Sequence, residues 1–150
     1  MIQFTAYGLA RPQGSKTGFP IKRKNGTIGV AMVESSKGVK PWRGVVAMAA
    51  SEVYQGDLLR GPLDLCVTFY FPRPDSHYNI SQRYGRRLRP AAPGFCYPTG
   101  YGDRDKLLRA ICDSIKGIIY HDDKQIVSGH TMRAWGEPAR AEVKVTELTG

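Results

Sequence analysis

Three stretches of the chain alternate apolar and polar positions with the two-residue period of a half-buried strand. Ile2, Phe4 and Ala6 alternate with Gln3, Thr5 and Tyr7. Leu63, Leu65, Val67, Phe69 and Phe71 alternate with Asp64, Cys66, Thr68 and Tyr70. Ala141, Val143 and Val145 alternate with Arg140, Glu142, Lys144 and Thr146. The second run is the clearest and is expected at the centre of the sheet, with Pro72 and Pro74 ending it. Ile126–Arg133 also reads as a strand, expected to pair antiparallel with Ala139–Leu148 around Trp135–Pro138. Asn25–Gly26 lies between Lys22, Arg23, Lys24 and the apolar Ile28, Val30, Met32, which predicts a hairpin over Phe19–Glu34.

Two stretches switch to a helical period. Trp42, Val45, Val46, Ala49, Ala50 and Val53 form one apolar stripe, and Pro41 suits a first helical turn, so a helix is expected over about Pro41–Gln55. Leu107, Leu108, Ile111, Ser114 and Ile115 form the other, over about Asp105–Lys116, with Gly117 as its terminator. These elements predict one small α+β domain over residues 1–150, its mixed or mostly antiparallel sheet packed against two main helices. Residues 73–101 lose all periodicity and interleave Arg with Tyr. A long basic loop is expected there, of the kind that carries function or orders on binding.

Composition fits a globular protein, 41% hydrophobic and 23% charged, with a formal net charge of +9. No apolar run reaches membrane-spanning length and the N-terminus lacks a signal pattern, so a cytoplasmic location is expected. Cys66, Cys96 and Cys112 have no metal-knuckle spacing, and Cys66 and Cys112 are expected as core thiols. Residues 1–50 hold eight Lys and Arg against one acid, whereas residues 101–150 balance eight against eight. A basic front half beside an acidic centre suits a polyanion read through its phosphates. Merely solubilising charge gives similar totals.

The acid gathers in Gly102–Val127, where five of the thirteen Asp and Glu side chains fall. Asp103 and Asp105 flank one residue at the start of the second helix. Asp105, Arg109 and Asp113 recur four apart along one side of it, and Asp122 and Asp123 are expected to open the strand that follows. Converging carboxylates repel unless a cation sits between them, and hard oxygen ligands suit Mg2+ or Mn2+. The same spacing also suits a helix cap with a solvated acid, and Asp122-Asp123 a plain turn.

The run D-R-D-K-L-L-R-A-I-C-D-S-I followed by D-D-K-Q-I-V resembles the core of the RusA family, metal-dependent dimeric Holliday-junction resolvases of bacteria and phages. The family pattern is D-x-D-N-x-x-K, a further Asp four residues on, and D-D-x-Q-V. The resemblance places the three essential acids, and hence the metal ligands, at Asp103, Asp105 and Asp123, and the basic residue after the acid pair at Arg109. Asp113 and Asp122 take neighbouring acidic positions, with Lys106 and Lys124 as support. Lys106 replaces the pattern's Asn, and Arg109 its Lys. The opening G-x-x-R-P-Q-G-S-K and the central P-x-P-x-S-H are also similar.

The resemblance implies a homodimer that hydrolyses paired phosphodiesters in opposing strands of a four-way DNA junction during recombination or repair, using Mg2+ and no organic cofactor. Arg11, Lys16, Lys22, Arg23, Lys24, Arg83, Arg86, Arg87 and Arg89 are the candidate DNA contacts, with backbone amides near Gly14 and Ser15 also open to phosphate. His77, His130 and Arg133 are candidates for approach to the acid region. A different metal-dependent nuclease, a non-catalytic DNA-binding protein and an RNA-binding module compete with this reading. Junction preference and dependence on Mg2+ separate them.

Overall fold

The computed structural model describes residues 1–14, 16–34, 38–97 and 100–150, with the side chains of 16–19 and 30–34 outside that description. Its central sheet is built on β4 (Leu63–Phe71), whose alternate residues are buried throughout. β4 pairs antiparallel with β9 (Arg140–Glu147), which in turn pairs antiparallel with β1 (Ile2–Tyr7). On its other side β4 pairs in parallel with β7 (Ile126–Ser128) and then β8 (Thr131–Trp135), two short strands in tandem. The sheet is therefore mixed. Parallel pairing requires a crossover connection, and residues 72–125 supply it.

Two helices cover one face. α1 (Val39–Val53) buries Val39, Trp42, Val46 and Ala50; α2 (Arg104–Ile115) buries Leu107, Ala110, Ile111, Ser114 and Ile115. They close over Leu65, Val67, Phe69, Val143 and Val145, all nearly inaccessible to solvent. Burying one such aliphatic or aromatic side chain contributes about 1.5–3 kcal/mol, enough to hold short helices that are marginal alone. Ser114 sits in this core because its hydroxyl donates back to the Ala110 carbonyl at 2.5 Å. The α+β architecture with two main helices is as the hydrophobic pattern predicts.

Three expectations change. Ile126–Arg133 is not one strand, and it does not pair with β9: β4 lies between β9 and the β7–β8 edge. The break falls at Gly129, whose φ is +144° and where a Cβ would collide with the Leu65 carbonyl; the Val67 amide then reaches the His130 carbonyl at 2.8 Å. Residues 73–101 are not an irregular loop throughout. A 3-10 turn (Asp75–His77) leads into an isolated antiparallel hairpin of β5 (Tyr78–Ser81) and β6 (Gly85–Leu88). The fully buried thiol is Cys96, while Cys66 and Cys112 are only partly covered. Periodicity missed the hairpin because β6 is exposed along its whole length, so no face of it needed to be apolar. The basic hairpin of β2 (Lys16–Lys22) and β3 (Ile28–Glu34) forms as expected and stands apart from the main sheet.

Candidate active site

The first acid pair is held at the start of α2. Asp103 is the residue before the helix, with extended backbone, and its carboxylate makes no capping bond; its carbonyl takes the Leu107 amide at 3.0 Å. Asp105 follows in the first turn, where the helix dipole favours negative charge. Both side chains are exposed. Arg104 approaches Asp105 at 3.9 Å, but both partners are open to solvent and such a pair contributes little. Three contacts fix this helix end. Gly102, at φ +109°, lies against Pro12; Arg133 donates to the Gly102 carbonyl at 2.9 Å; the Gln13 amide donates to the Lys106 carbonyl at 3.0 Å.

The second acid pair is in a 3-10 turn (Asp123–Gln125), not at the start of a strand as expected. Asp122 caps that turn by accepting the Lys124 amide at 2.9 Å, and this bond holds its carboxyl below the ordinary range. Gln125 locks the turn with all its capacity. Its oxygen accepts the amides of His121 and Asp122 at 2.9 and 2.8 Å, and its nitrogen donates to the carbonyls of Leu59 and Gly61 at 2.8 and 3.0 Å. Asp123 is half-buried beside the Tyr120 hydroxyl, 3.1 Å from one carboxylate oxygen. That hydroxyl also lies 2.8 Å from the Cys112 carbonyl, so its single proton faces two acceptors. Burial pushes the Tyr120 phenol far above its usual value, and burial and then the Asp123 charge push the Cys112 thiol up to about 11. Both groups remain protonated near neutrality.

Cys112 lies about two turns along α2 from Asp105, roughly 10 Å of rise, so Asp123 is tied to a different part of the helix from the first pair. Among the described residues no three His, Cys, Asp or Glu side chains gather around one point. The donor chemistry of Asp103, Asp105 and Asp123, hard anionic oxygens, nevertheless fits Mg2+ or Mn2+. Arg109 is exposed on α2, as are Lys106 and Lys124. Asp113 turns to Arg43 at 4.0 Å, and Arg43 also donates to the buried Gln13 at 3.1 Å. Arg43 thus ties α1 to α2.

Of the candidate DNA contacts, Arg11, Lys22, Arg23 and Lys24 are exposed, as are Arg83, Arg86, Arg87 and Arg89. The Lys16 side chain and Ser15 lie outside the described residues. His77 is packed edge-on against Trp135, 5.2 Å between ring centroids, with Arg73 at 3.3 Å from its Nδ1. His130 is exposed near Asp64 and does not join the acid region, whereas Arg133 does, through Gly102. Sequence reasoning passed over Gln13, Tyr120 and Gln125. The opening R-P-Q-G and the D-D-x-Q pattern contained a signal for the two glutamines.

The model of the family described as endodeoxyribonuclease RusA matches residues 12–146. Over 148 residues the chain is also 29% identical to an uncharacterised protein, YqaN, of Bacillus subtilis (strain 168), covering 99% of this chain and 97% of that one. The chain belongs to the RusA endodeoxyribonuclease family, a family of resolvase-type nucleases. Among the described residues, no helix is long and apolar enough to cross a membrane.

Proposed function

We propose that this member of the RusA family is a Mg2+-dependent nuclease that resolves four-way DNA junctions by paired phosphodiester hydrolysis in opposing strands, with Asp103, Asp105 and Asp123 as the metal ligands. The observation that carries the reading is the family match running across both acid pairs, on a chain that leaves Asp103 and Asp105 uncapped at a clamped helix end. Mg2+, for which Mn2+ is the natural substitute, supplies activation of a water nucleophile and stabilisation of charge on the phosphate.

The chain's own groups do the rest. Asp103 and Asp105 are presented by a helix end that Pro12, Gln13 and Arg133 prevent from fraying. Tyr120 orients Asp123, and Asp122 and Gln125 fix the backbone that carries it. Arg109, with Lys106 and Lys124, offsets charge on the nonbridging phosphate oxygens. Arg matches the charge of the pattern's Lys but presents a rigid fork rather than a point charge. A homodimer supplies two sites related by a two-fold axis, matching the symmetry of the junction. Val45 and Met48, exposed on the outer side of α1, are apolar surface available to such a contact. Cys66 and Cys112, neither of them in a disulfide, suit a reducing cytoplasm.

The test is cleavage of a labelled four-way junction and a matched duplex, each with Mg2+ and with EDTA. Metal-dependent, symmetric nicks in the junction alone are expected, and Asp105→Asn should abolish them. Equal cutting of the duplex would support a less selective nuclease. Persistence of cutting in Asp105→Asn would remove Asp105 from the metal site.

A further inference from the structure

The β5–β6 hairpin stands off the main sheet, and its root and its tip use their arginines differently. At the root, Arg86 pairs with Asp75 at 2.9 Å and with Glu137 at 3.8 Å, and lies over the Tyr78 ring at 3.9 Å. Arg89 is bound twice to the root backbone, its amide to the His77 carbonyl at 2.9 Å and its Nε to the Tyr78 carbonyl at 3.1 Å. Isolated two-stranded hairpins are marginal in water, and these contacts hold this one in place.

The tip is a three-residue connection closed by Gly85 at φ +69°, with the Tyr84 amide donating to the Ser81 hydroxyl at 3.0 Å. It presents one aromatic ring, Tyr84, 56% exposed. The Arg83 and Arg87 guanidiniums lie 5.3 and 4.6 Å from its centroid. Neither arginine is paired with an acid among the described residues, and Asp75 before the hairpin and Glu137 in the β8–β9 connection are engaged by Arg86 at the root. An exposed ring flanked by two unpaired cations is chemically complementary to a nucleobase with a phosphate on either side. A base inside a duplex offers its faces to neighbouring bases, so the ring needs one that has left the stack. Branch points supply such bases.

We propose that the hairpin tip reads the branch point of DNA: Tyr84 stacks on an unstacked nucleobase while Arg83 and Arg87 hold the adjoining phosphates, and Arg86 and Arg89 serve as struts. This rests on the junction reading above and names the part of the substrate that the tip recognises.

The experiment uses the whole chain in EDTA, so that no strand is cut, with a four-way junction carrying 2-aminopurine either at the exchange point or one helical turn away. Wild-type protein should change the fluorescence at the exchange point only. Tyr84→Leu should abolish that change and weaken junction binding about tenfold while altering affinity for linear duplex less than twofold. Tyr84→Phe should restore both properties. Arg83→Ala and Arg87→Ala should each lower the salt dependence of junction binding by about one unit of slope. An unaltered fluorescence change in Tyr84→Leu overturns the inference and leaves the junction reading standing. Equal weakening on junction and duplex overturns it too, as does a change in oligomeric state without loss of the fluorescence signal, which would assign the tip to a protein contact. Wild-type binding with no preference for junction over duplex would refute the junction reading itself.

Discussion

Replacing Tyr120 by Phe isolates the side-chain hydrogen bond that orients Asp123 among the described residues. The ring is fully buried, and the substitution keeps its volume while removing only the hydroxyl. The Cys112 carbonyl retains the Lys116 amide at 3.1 Å, so it is not orphaned. Asp123 loses the donor 3.1 Å from its carboxylate. Forfeiting one hydrogen bond of this kind costs about 1–2 kcal/mol of stability. For a chain of this size that lowers Tm by roughly 2–8 °C. The larger effect should be on the metal. Loss of a group that orients a ligand typically weakens metal affinity about 10–100-fold. Junction cleavage measured across a Mg2+ titration should therefore show the half-saturating concentration raised by that factor, with the rate recovering at saturation. An unchanged half-saturating concentration alongside the stability loss would reduce Tyr120 to a packing residue. A rate that stays low at every Mg2+ concentration would refute the argument that Tyr120 acts through ligand orientation.

Gln125→Leu removes all four side-chain hydrogen bonds of Gln125 from the turn that bears Asp122 and Asp123, and should cost about 2–4 kcal/mol, seen as a Tm lower by roughly 4–16 °C. Gly129→Ala forces a Cβ into the Leu65 carbonyl at φ +144° and should unfold at markedly lower denaturant than Gly26→Ala, whose added methyl meets open space; equal midpoints would contradict the strand break. The Asp64 carboxyl is held below its ordinary 3.8, first by the Ser128 hydroxyl at 2.6 Å and then by Cys66. A depressed folded value stabilises at pH above the unfolded value and is lost as pH falls through the folded one. Wild type should thus exceed Ser128→Ala in stability at neutral pH, and the gap should close as the solution is acidified below about pH 4. A gap that persists in acid would assign it to packing instead.

β1, β4 and β9 were legible because each buries one face, which imposes a period of two on the chain. The α1 and α2 stripes were legible for the same reason at a period of 3.6, with ends displaced by a residue or two. The acid motif could be read too, since Asp103 and Asp105 are set by their place at a helix start. Where the reading failed, burial imposed no pattern. β5 and β6 are almost wholly exposed and are held by Arg86 and Arg89 rather than by an apolar face. The β7–β8 edge looked like one strand because Gly129, the residue that breaks it, does so against a carbonyl 64 positions earlier.

What the linear pattern of residues settled, then, was the identity of β1, β4, β9, α1 and α2 and the place of the first acid pair at a helix start, because periodicity and capping act between neighbours in the chain. The partner of each strand came from the folded molecule, since β4 could have been paired by any of several apolar runs and packing chose β9 on one side and β7–β8 on the other. The same holds for the second half of the site. Gln125 reaches carbonyls 66 and 64 residues away, and Tyr120 joins Asp123 to a carbonyl on α2. Such bonds depend on distances that exist only after the core has closed, and no local preference in the sequence encodes them.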